Sequence, residues 1–451
     1  MECRENEFRR LTGQSVKAQV LRLAIPSTIG LLAISAYSLA DSAFLAGLGA
    51  DAGAAVSVLF PVHVLMQAVG YTLGMGGGSL YSRALGRQDE TGAGDCLSLS
   101  FFLSLVVGGG ILAAGLFATV PIVRFLGASD AVLPYALAYA RPLFCAAPVM
   151  CGSFVLSQFL RAGGHAVSSM AGLCVGSLLN ILLDPILIHR FGMGVAGASV
   201  STLLSQSCGF LVLLFLCLRS RNGARLFPLP ESGGVALSGK ILISGLPSLL
   251  RQGLSGTATI LLTHAAKELG SSAVTAMSVT SRIFLLVFSF CLGVGQGMMP
   301  VVGYNHGAAL PERAGKAYRF ALRFSTLLML GISIPLLLLT PQILSLFQHE
   351  EAFLQIGIPA LRAQSAVLFT HGIVSCTILY DQAAGKPVRA AILASARQGF
   401  FFLPLILRMP AAFGIPGLQF AQPLADFLTF LFAIPFLVKS IQPFRLPAAG
   451  E

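Results

Sequence analysis

The chain has 451 residues, of which 55% are hydrophobic and only 10% charged, and its mean hydropathy is +0.82. Soluble domains carry roughly a quarter charged residues, so the composition excludes a soluble globular protein. The formal net charge of +11 would suit a nucleic-acid-binding protein. Most Lys and Arg, however, lie in short segments between apolar runs, which is the placement found in membrane proteins. We therefore expect a lipid bilayer and no nucleic acid as partner.

Apolar runs of bilayer-spanning length recur along the chain. A short surface helix is expected before the first run, and that run is too long for a signal-peptide core, so we expect it to be retained. The fold class is predicted to be all-α integral membrane, with twelve transmembrane helices. In chain order the predicted helices cover residues 20–46, 52–82, 95–120, 133–160, 165–189, 193–218, 240–266, 272–302, 317–340, 352–381, 387–408 and 414–438.

The connecting segments differ in their basic residues. Lys and Arg concentrate in alternate segments, beginning with the N-terminus. The opposite set of segments contains only Arg124, Arg190, Lys267 and Arg408. By the positive-inside rule this bias places both termini in the cytoplasm. We expect a multi-pass protein of the cell inner membrane.

The two halves of the chain repeat each other at a shift of 221 residues. Pro26 then aligns with Pro247, and three glycines, at 74, 76 and 86, align with those at 295, 297 and 307. One register serves from the first helix into the loop after the fourth. The sequence therefore predicts an N-lobe over 1–218, a Pro/Gly-rich cytoplasmic linker over 219–239 and a C-lobe over 240–451. Six helices per lobe imply a pseudo-two-fold axis along the membrane normal, with a substrate site between the lobes. We expect a monomer.

Two carboxylates inside predicted spans carry most of the functional information, because a charge in a membrane helix is expensive. Asp41 lies in the first helix and Asp184 in the fifth, and the 221-residue shift places leucines opposite both. Tyr37 and Asn180 precede these acids by four residues and share their helical faces. Burial disfavours a charged carboxylate, so each acid is a candidate to exchange a proton or hold Na⁺. The alternatives are that Asp41 lies at the helix end and faces water, and that Asp184 hydrogen-bonds to backbone groups near Pro185.

The second half carries a different set of polar residues in or near its spans. They form a candidate substrate cavity, or else structural pairs between helices: Arg251, Gln252, Arg282, Gln296, Arg397, Gln398 and Asp426. Asp426 is expected to form a buried pair with either Arg282 or Arg397. Asp381 lies at the end of the tenth predicted helix.

The sequence contains no signature of an enzyme or of a bound cofactor. The nine cysteines form no CxxC pair, the seven histidines are scattered, and no nucleophile lies near a base in a recognisable motif. We therefore expect no catalytic residue, no cofactor beyond a coupling ion, and small organic molecules as the transported partners. An integral-membrane enzyme or a receptor is the alternative from another class.

Several longer stretches resemble the multidrug and toxic compound extrusion (MATE) transporters over nearly the whole chain. They are DSAFLAGLGADAGAAVSV, LRAGGHAVSSM, NILLDPILIHRFGMGVAGASVSTLLSQ, SRIFLLVFSFCLGVGQGMMPVVGYNHGAA and DQAAGKPVRAAI. The segments GLPSLLRQG and QPLADF look most like bacterial multidrug-export members, in the branch related to DNA-damage-inducible transporters.

This resemblance implies a multidrug efflux antiporter that exports organic, mostly cationic compounds by alternating access in exchange for protons or sodium. It implies a proton or cation site in the N-lobe formed by Asp41, Asn180 and Asp184, which would also hold any Na⁺. Tyr37 and Thr202 match the polar surround of that site, and Pro26 matches a proposed bend. Other branches carry an essential acid in the seventh helix, where this chain has Arg251 and Gln252.

The main alternative is a flippase for a lipid-linked precursor, since related families share the two-lobe fold. Such proteins have a more cationic central cavity. Arg251, Arg282 and Arg397 keep this alternative open at the level of sequence.

Overall fold

We describe a computed structural model of the chain. It describes residues 2–46, 48–220, 226 and 233–441, and within these the side chains at 2–6, 42, 43, 46, 50, 51 and 441 are left aside. The described residues form helices and connecting turns, with no strand among them. In chain order the helices are α1 (Glu2–Gly13), α2 (Val16–Ala46), α3 (Ala50–Gly86), α4 (Glu90–Phe125), α5 (Leu133–Ala162), α6 (Ala166–Pro185), α7 (Gly194–Arg219), α8 (Gly234–Glu268), α9 (Ser271–Gly307), α10 (Pro311–Leu338), α11 (Thr340–Ser345), α12 (Glu351–Ala366), α13 (Leu368–Ala383), α14 (Pro387–Ser395), α15 (Leu403–Phe413) and α16 (Ile415–Ile441).

The all-α membrane fold is confirmed, and each of the twelve predicted helices is helical in the structure. Ten spans over the described residues are long and apolar enough to cross a membrane, or eleven if α12 and α13 count as one. The predicted helix over 240–266 corresponds to α8, which is longer than expected and carries Lys240, Arg251 and Lys267. α8 is not among the ten spans that are long and apolar enough by this criterion.

The helix predicted over 352–381 is not one straight element. It consists of α12 and α13, which meet at Val367 with a bend of 50°. Two other predicted helices contain a turn of π-helix, over Ile186–Arg190 after α6 and over Ala396–Phe402 between α14 and α15. Single π-turns inside helices often occur at functional sites. The first of these two directly follows Asp184-Pro185, and the second contains Arg397.

The chain divides into two compact units. The N-terminal unit contains Ile29–Leu85 and Asp89–Leu249, and the C-terminal unit contains the described residues of Met1–Thr28, Gly86–Gln88 and Leu250–Glu451. The first turns of α2 thus group with the second half of the chain, and those of α8 group with the first half. Grouping by contact is a different property from sequence repetition, so the lobes predicted at 1–218 and 240–451 stay a prediction. Most of the predicted linker, 219–239, lies outside the described residues.

Repeat-related glycines allow two helices to approach closely within each unit. A Cβ on Gly76 of α3 would overlap the carbonyl oxygen of Ile241 and the backbone of Gly245 in α8. A Cβ on Gly297 of α9 would likewise overlap the backbone of Ala24 in α2. Gly76 and Gly297 are partners under the 221-residue shift, and so are Gly245 and Ala24. The same close approach of two helices, which small residues permit in membranes, therefore occurs once in each unit.

Candidate functional site

The acidic residues of the N-terminal unit lie on two helices. Tyr37 and Asp41 lie one turn apart on α2, where Tyr37 is buried and Asp41 is half-buried. Asn180 and Asp184 lie one turn apart on α6, and both are fully buried. The charges of the two carboxyl groups act on each other. Asp41 and Asp184 therefore lie near enough to influence each other, and the shared cation site stays a prediction.

Asn180 connects α6 to α7. Its Nδ2 donates to the hydroxyl of Ser201 at 3.3 Å and to that of Thr202 at 3.5 Å, and the Ser201 hydroxyl donates to the Asn180 carbonyl at 3.3 Å. The Thr202 hydroxyl donates to the Ala198 carbonyl at 3.0 Å. These bonds orient the amide so that its nitrogen faces α7 and its oxygen stays available.

Four oxygen atoms of this group are buried and accept no hydrogen bond of normal geometry from any described residue, although the Ser201 hydroxyl interacts with Asp184. They are Oδ1 of Asp41, Oδ1 of Asn180, and both Oδ1 and Oδ2 of Asp184. The alternative that Asp184 satisfies the backbone near Pro185 is therefore wrong. Unpaired buried carboxylate oxygens are costly, and a bound proton or a hard cation, which prefers oxygen ligands, would offset that cost. The oxygen atoms of these side chains fit either a proton or a hard cation.

Two buried residues of this site were missed by sequence reasoning. Tyr139 on α5 lies within the electrostatic influence of Asp41, Asp184 and Tyr37, and Ser201 on α7 bonds to Asn180. Ser201 is next to Thr202 in the sequence, so the prediction of Thr202 could have been extended to Ser201. Tyr139 follows no motif, and only the packing of α5 against the rest of the unit reveals it.

Among its described residues, the C-terminal unit has no equivalent of this polar group. The 221-residue shift relates Tyr37, Asp41, Tyr139, Asn180 and Asp184 to apolar residues. Those counterparts are Ala258, Leu262, Ala360, Phe401 and Leu405, and all five belong to one hydrophobic cluster of the C-terminal unit. The same backbone framework thus surrounds an oxygen-rich site in one unit and an apolar core in the other.

The C-terminal unit instead contains a polar cluster around Asp426, which is buried on α16. Its carboxylate accepts four hydrogen bonds. The donors are Nε2 of Gln364 at 2.6 Å, Nε of Arg397 at 2.7 Å, Nε2 of Gln422 at 2.8 Å and Nε2 of His371 at 3.2 Å. Of the two predicted partners, Arg397 pairs with Asp426, whereas the side chain of Arg282 is exposed. Sequence reasoning missed His371, Gln364 and Gln422.

The other polar residues predicted for the second half are dispersed. Arg251 and Gln252 are half-buried neighbours on α8, with Nη1 of Arg251 donating to Gln252 Oε1 at 3.5 Å. Gln296 on α9 is fully buried, and Gln398 lies in the π-turn after α14 with its Oε1 buried and unbonded among described residues. Asp381 pairs with Arg389 at 3.5 Å. The structure places none of these five predicted residues in the hydrogen bonds around Asp426.

Comparisons with known proteins agree with these features. The sequence profile of the MatE family matches residues 26–186 and 247–405, one match in each repeat. The chain belongs to the MATE family. MATE proteins form a transporter family, so the chain is a multi-pass membrane transporter, and the resemblance stated for the sequence is confirmed.

The chain is also similar over its length to individual MATE proteins. It is 25% identical over 427 residues to a multidrug export protein MepA of Staphylococcus saprophyticus, covering 93% of each chain. A solved outward-facing structure of a multidrug resistance MATE transporter superposes with a TM-score of 0.89 at 27% identity, covering 96% of this chain and 97% of the other. A MATE structure in the straight conformation gives 0.88 at 28% identity, covering 96% and 98%. Assignment to a branch of the family stays a prediction.

Proposed function

We propose that this MATE transporter is a secondary active multidrug efflux antiporter. It exports organic, mostly cationic compounds by alternating access, in exchange for protons or sodium that bind in the N-terminal unit. It works as a monomer in the cell inner membrane, with both termini in the cytoplasm. The printed functions of its relatives, multidrug export and multidrug resistance, support the substrate class.

One observation carries the coupling part of this proposal. Oδ1 of Asp41, Oδ1 of Asn180 and both carboxylate oxygens of Asp184 are buried without a hydrogen bond of normal geometry from described residues, while the repeat-related positions are apolar and packed. A structural carboxylate would have donors, as Asp426 does. A group that stays buried and unsatisfied on one side of a repeated fold is better explained by an ion that comes and goes.

In this mechanism Asp41 is the main proton carrier, because it is the half-buried member of the pair and the more accessible one. Asp184 and Asn180 adjust its affinity or supply oxygen ligands to a cation. Proton binding removes one of two neighbouring negative charges, which changes the packing of α2. Pro26 lies in the same helix and leaves one backbone carbonyl without its helical donor, so it would act as the bend through which the two access states are biased.

The structure weakens the support for a lipid-precursor flippase. That alternative depended on three arginines forming a cationic cavity. Arg397 forms an ion pair with Asp426 at 2.7 Å, so one of these three positive charges is compensated. The second half of the chain therefore presents less uncompensated positive charge than its sequence suggested.

The test is ethidium transport by purified protein in liposomes under an imposed proton or sodium gradient. We compare the wild type with Asp41→Asn, and use Asp130→Asn, an exposed acid paired with Arg124, as the matched control. We expect Asp41→Asn to lose gradient-driven transport by at least about tenfold, since coupling energies are typically 1–3 kcal/mol. The control should keep transport within about twofold, the effect of losing an exposed pair.

Normal export by Asp41→Asn under either gradient would overturn the coupling role. Equal transport without any gradient would overturn secondary active transport itself. The ion whose gradient drives the wild type identifies the coupling ion.

A further inference from the structure

Three cations lie close together where α13 turns into α14 in the C-terminal unit. Nη2 of Arg389 lies 3.5 Å from Oδ2 of Asp381. Lys386, in the turn itself, has its pKa lowered by burial and by the charge of Arg389, and raised by that of Asp381. Arg319 of α10 acts electrostatically on Tyr380, as Arg389 and Asp381 also do. We call Arg319, Lys386 and Arg389 the basic cluster, and Asp381 is the one acid found to act on it.

The acid of this group is sealed, whereas its cations are accessible. The Asp381 side chain has no exposed surface, while that of Arg389 is 27% exposed. Lys386 and Arg319 are half-buried. One buried carboxylate compensates at most one of three positive charges, so the basic cluster keeps an excess of positive charge that favours an anion from outside the chain.

Arg389 has a structural task within this group. Its Nη2 also donates to the Phe436 carbonyl at 3.3 Å and to the Ser440 hydroxyl at 3.4 Å, both on α16. Its Cζ lies 5.7 Å from the centroid of the Phe436 ring. These contacts fasten α14 to α16. The charges of Lys386 and Arg319 are therefore the ones left for a ligand.

The basic cluster lies at a membrane boundary and next to an aliphatic surface. The turn that holds Lys386 connects α13, the second half of a bent span, to α14, which begins the next span. Val388 and Ile392 are exposed on α14, one helical turn apart and on the same face. Exposed aliphatic side chains on a span contact lipid chains. Positive charge and lipid-facing surface are therefore neighbours here, as a phospholipid requires.

The repeat shows that this turn forms without the cations. Gly385 in the turn has a φ of 80°, and its counterpart Gly164 in the N-terminal unit has a φ of 88°. Val388 and its counterpart Val167 are both exposed. The cations of the basic cluster have counterparts without a permanent positive charge, which are Ser98, His165 and Ser168. The fold of the turn therefore does not explain the charges.

We propose that the basic cluster binds the phosphate of an anionic phospholipid from the surrounding bilayer, with an acyl chain along Val388 and Ile392. Lys386 and Arg319 donate charge-assisted hydrogen bonds to the phosphate oxygens, and Arg389 is a positioning residue. Basic pockets between membrane helices bind anionic headgroups in this way. The lipid is a bound partner and not a transported substrate, so this site is independent of the proposed efflux function.

Native mass spectrometry of the purified protein, released from a neutral detergent, counts the bound lipids. The probes are dioleoyl phosphatidylglycerol and dioleoyl phosphatidylcholine, which share their acyl chains and differ in net charge. We expect the wild type to bind phosphatidylglycerol about tenfold more tightly. Lys386→Gln and Arg319→Gln should each weaken this binding about fivefold, the effect of one cation near a headgroup, and change that of phosphatidylcholine by less than about twofold.

Three controls separate a headgroup site from misfolding and from diffuse attraction. Lys386→Arg keeps the charge and should keep most of the preference for phosphatidylglycerol. Arg219→Gln removes an exposed cation from the last turn of α7 in the N-terminal unit, and should leave the affinity for both lipids unchanged. The thermal midpoint in detergent without added lipid should be close to that of the wild type in Lys386→Gln and Arg319→Gln, because the contacts of Arg389 remain.

Equal affinity of the wild type for the two lipids would overturn the proposal. So would an equal loss of phosphatidylglycerol binding in Arg219→Gln, since only the total charge of the protein would then matter. Displacement of phosphatidylglycerol by inorganic phosphate at a comparable concentration would assign the basic cluster to a free anion, and would likewise overturn the lipid site.

Discussion

Two carboxylates in this transporter are buried to the same degree and are treated in opposite ways. Asp426 in the C-terminal unit accepts four hydrogen bonds, one of them from Arg397. Asp184 in the N-terminal unit accepts no hydrogen bond of normal geometry from described residues, although the Ser201 hydroxyl interacts with it, and its repeat counterpart, Leu405, lies in an apolar cluster. A satisfied carboxylate holds helices together, and an unsatisfied one is available to an ion. Under the proposed function, Asp426 has a structural role in its unit and Asp184 takes part in ion coupling in the other.

The largest effect should come from breaking the satisfied cluster. Asp426→Leu leaves Arg397 and three neutral donors buried without an acceptor. Removing one partner of a buried pair costs about 3–5 kcal/mol, so we expect a large fall in the thermal midpoint of the purified protein. Adding Arg397→Leu to Asp426→Leu should recover much of the loss, and a single variant as stable as the wild type would contradict the structural role.

The next largest loss of stability should come from placing an acid at the apolar position that the repeat relates to Asp184. Leu405→Asp introduces a carboxylate into the cluster with Ala258 and Leu262, where no donor is present among its members. An Asp at the centre of a membrane helix costs about 2.5–3.5 kcal/mol. Thermal unfolding in detergent should show this loss of stability. Leu405→Asn, which introduces a side chain of the same shape as Asp but without charge, should show a smaller loss. An unchanged midpoint would mean that the C-terminal unit tolerates an acid as the N-terminal unit does.

A smaller and symmetrical effect is expected at the repeat-related glycines. Gly76→Ala would press on the backbone of α8, and Gly297→Ala on that of α2. Overpacking of this kind costs about 1–3 kcal/mol. The two variants should lose similar stability, with Gly109→Ala, which meets no atom within 4 Å, as the control. Strongly unequal losses would show that the two close approaches are not equivalent.

The smallest change in stability should come from Asp184→Leu, which gives the N-terminal unit the residue of its counterpart. Replacing an unsatisfied buried acid by an apolar side chain should leave the stability unchanged or raise it by about 1–3 kcal/mol, the penalty of one unpaired buried group. Gradient-driven ethidium transport should nevertheless be lost. A strong destabilisation would indicate that Asp184 has donors after all and is structural.

The sequence predicted the repeated framework well, because apolar length and aligned glycines and prolines leave few alternatives for a membrane chain. It could not predict the bend of 50° at Val367 or the two π-turns, which depend on packing between helices. The acids of the N-terminal unit were recognisable because charges are rare in spans. Tyr139 and His371 were not, since a single aromatic or histidine in an apolar helix has no distinguishing pattern.

The pairing of Asp426 was predicted only as one of two alternatives. Arg282 and Arg397 were equally basic in sequence, and the distance along the chain favoured neither. The choice follows from where α9 and the π-turn place their side chains, with Arg282 exposed and Arg397 half-buried beside Asp426. Side-chain direction of this kind is fixed by tertiary contacts.

We propose that ions are exchanged for substrate at the acids of the N-terminal unit. This exchange is tested most directly by adding ethidium to purified protein in weakly buffered detergent and recording the protons released, with bound radioactive sodium followed in a parallel sample. The wild type and the double variant Arg397→Gln/Asp426→Asn should release ions when ethidium binds, and Asp41→Asn should release few or none. Undiminished release from Asp41→Asn, or its loss in the C-terminal double variant alone, would contradict the account.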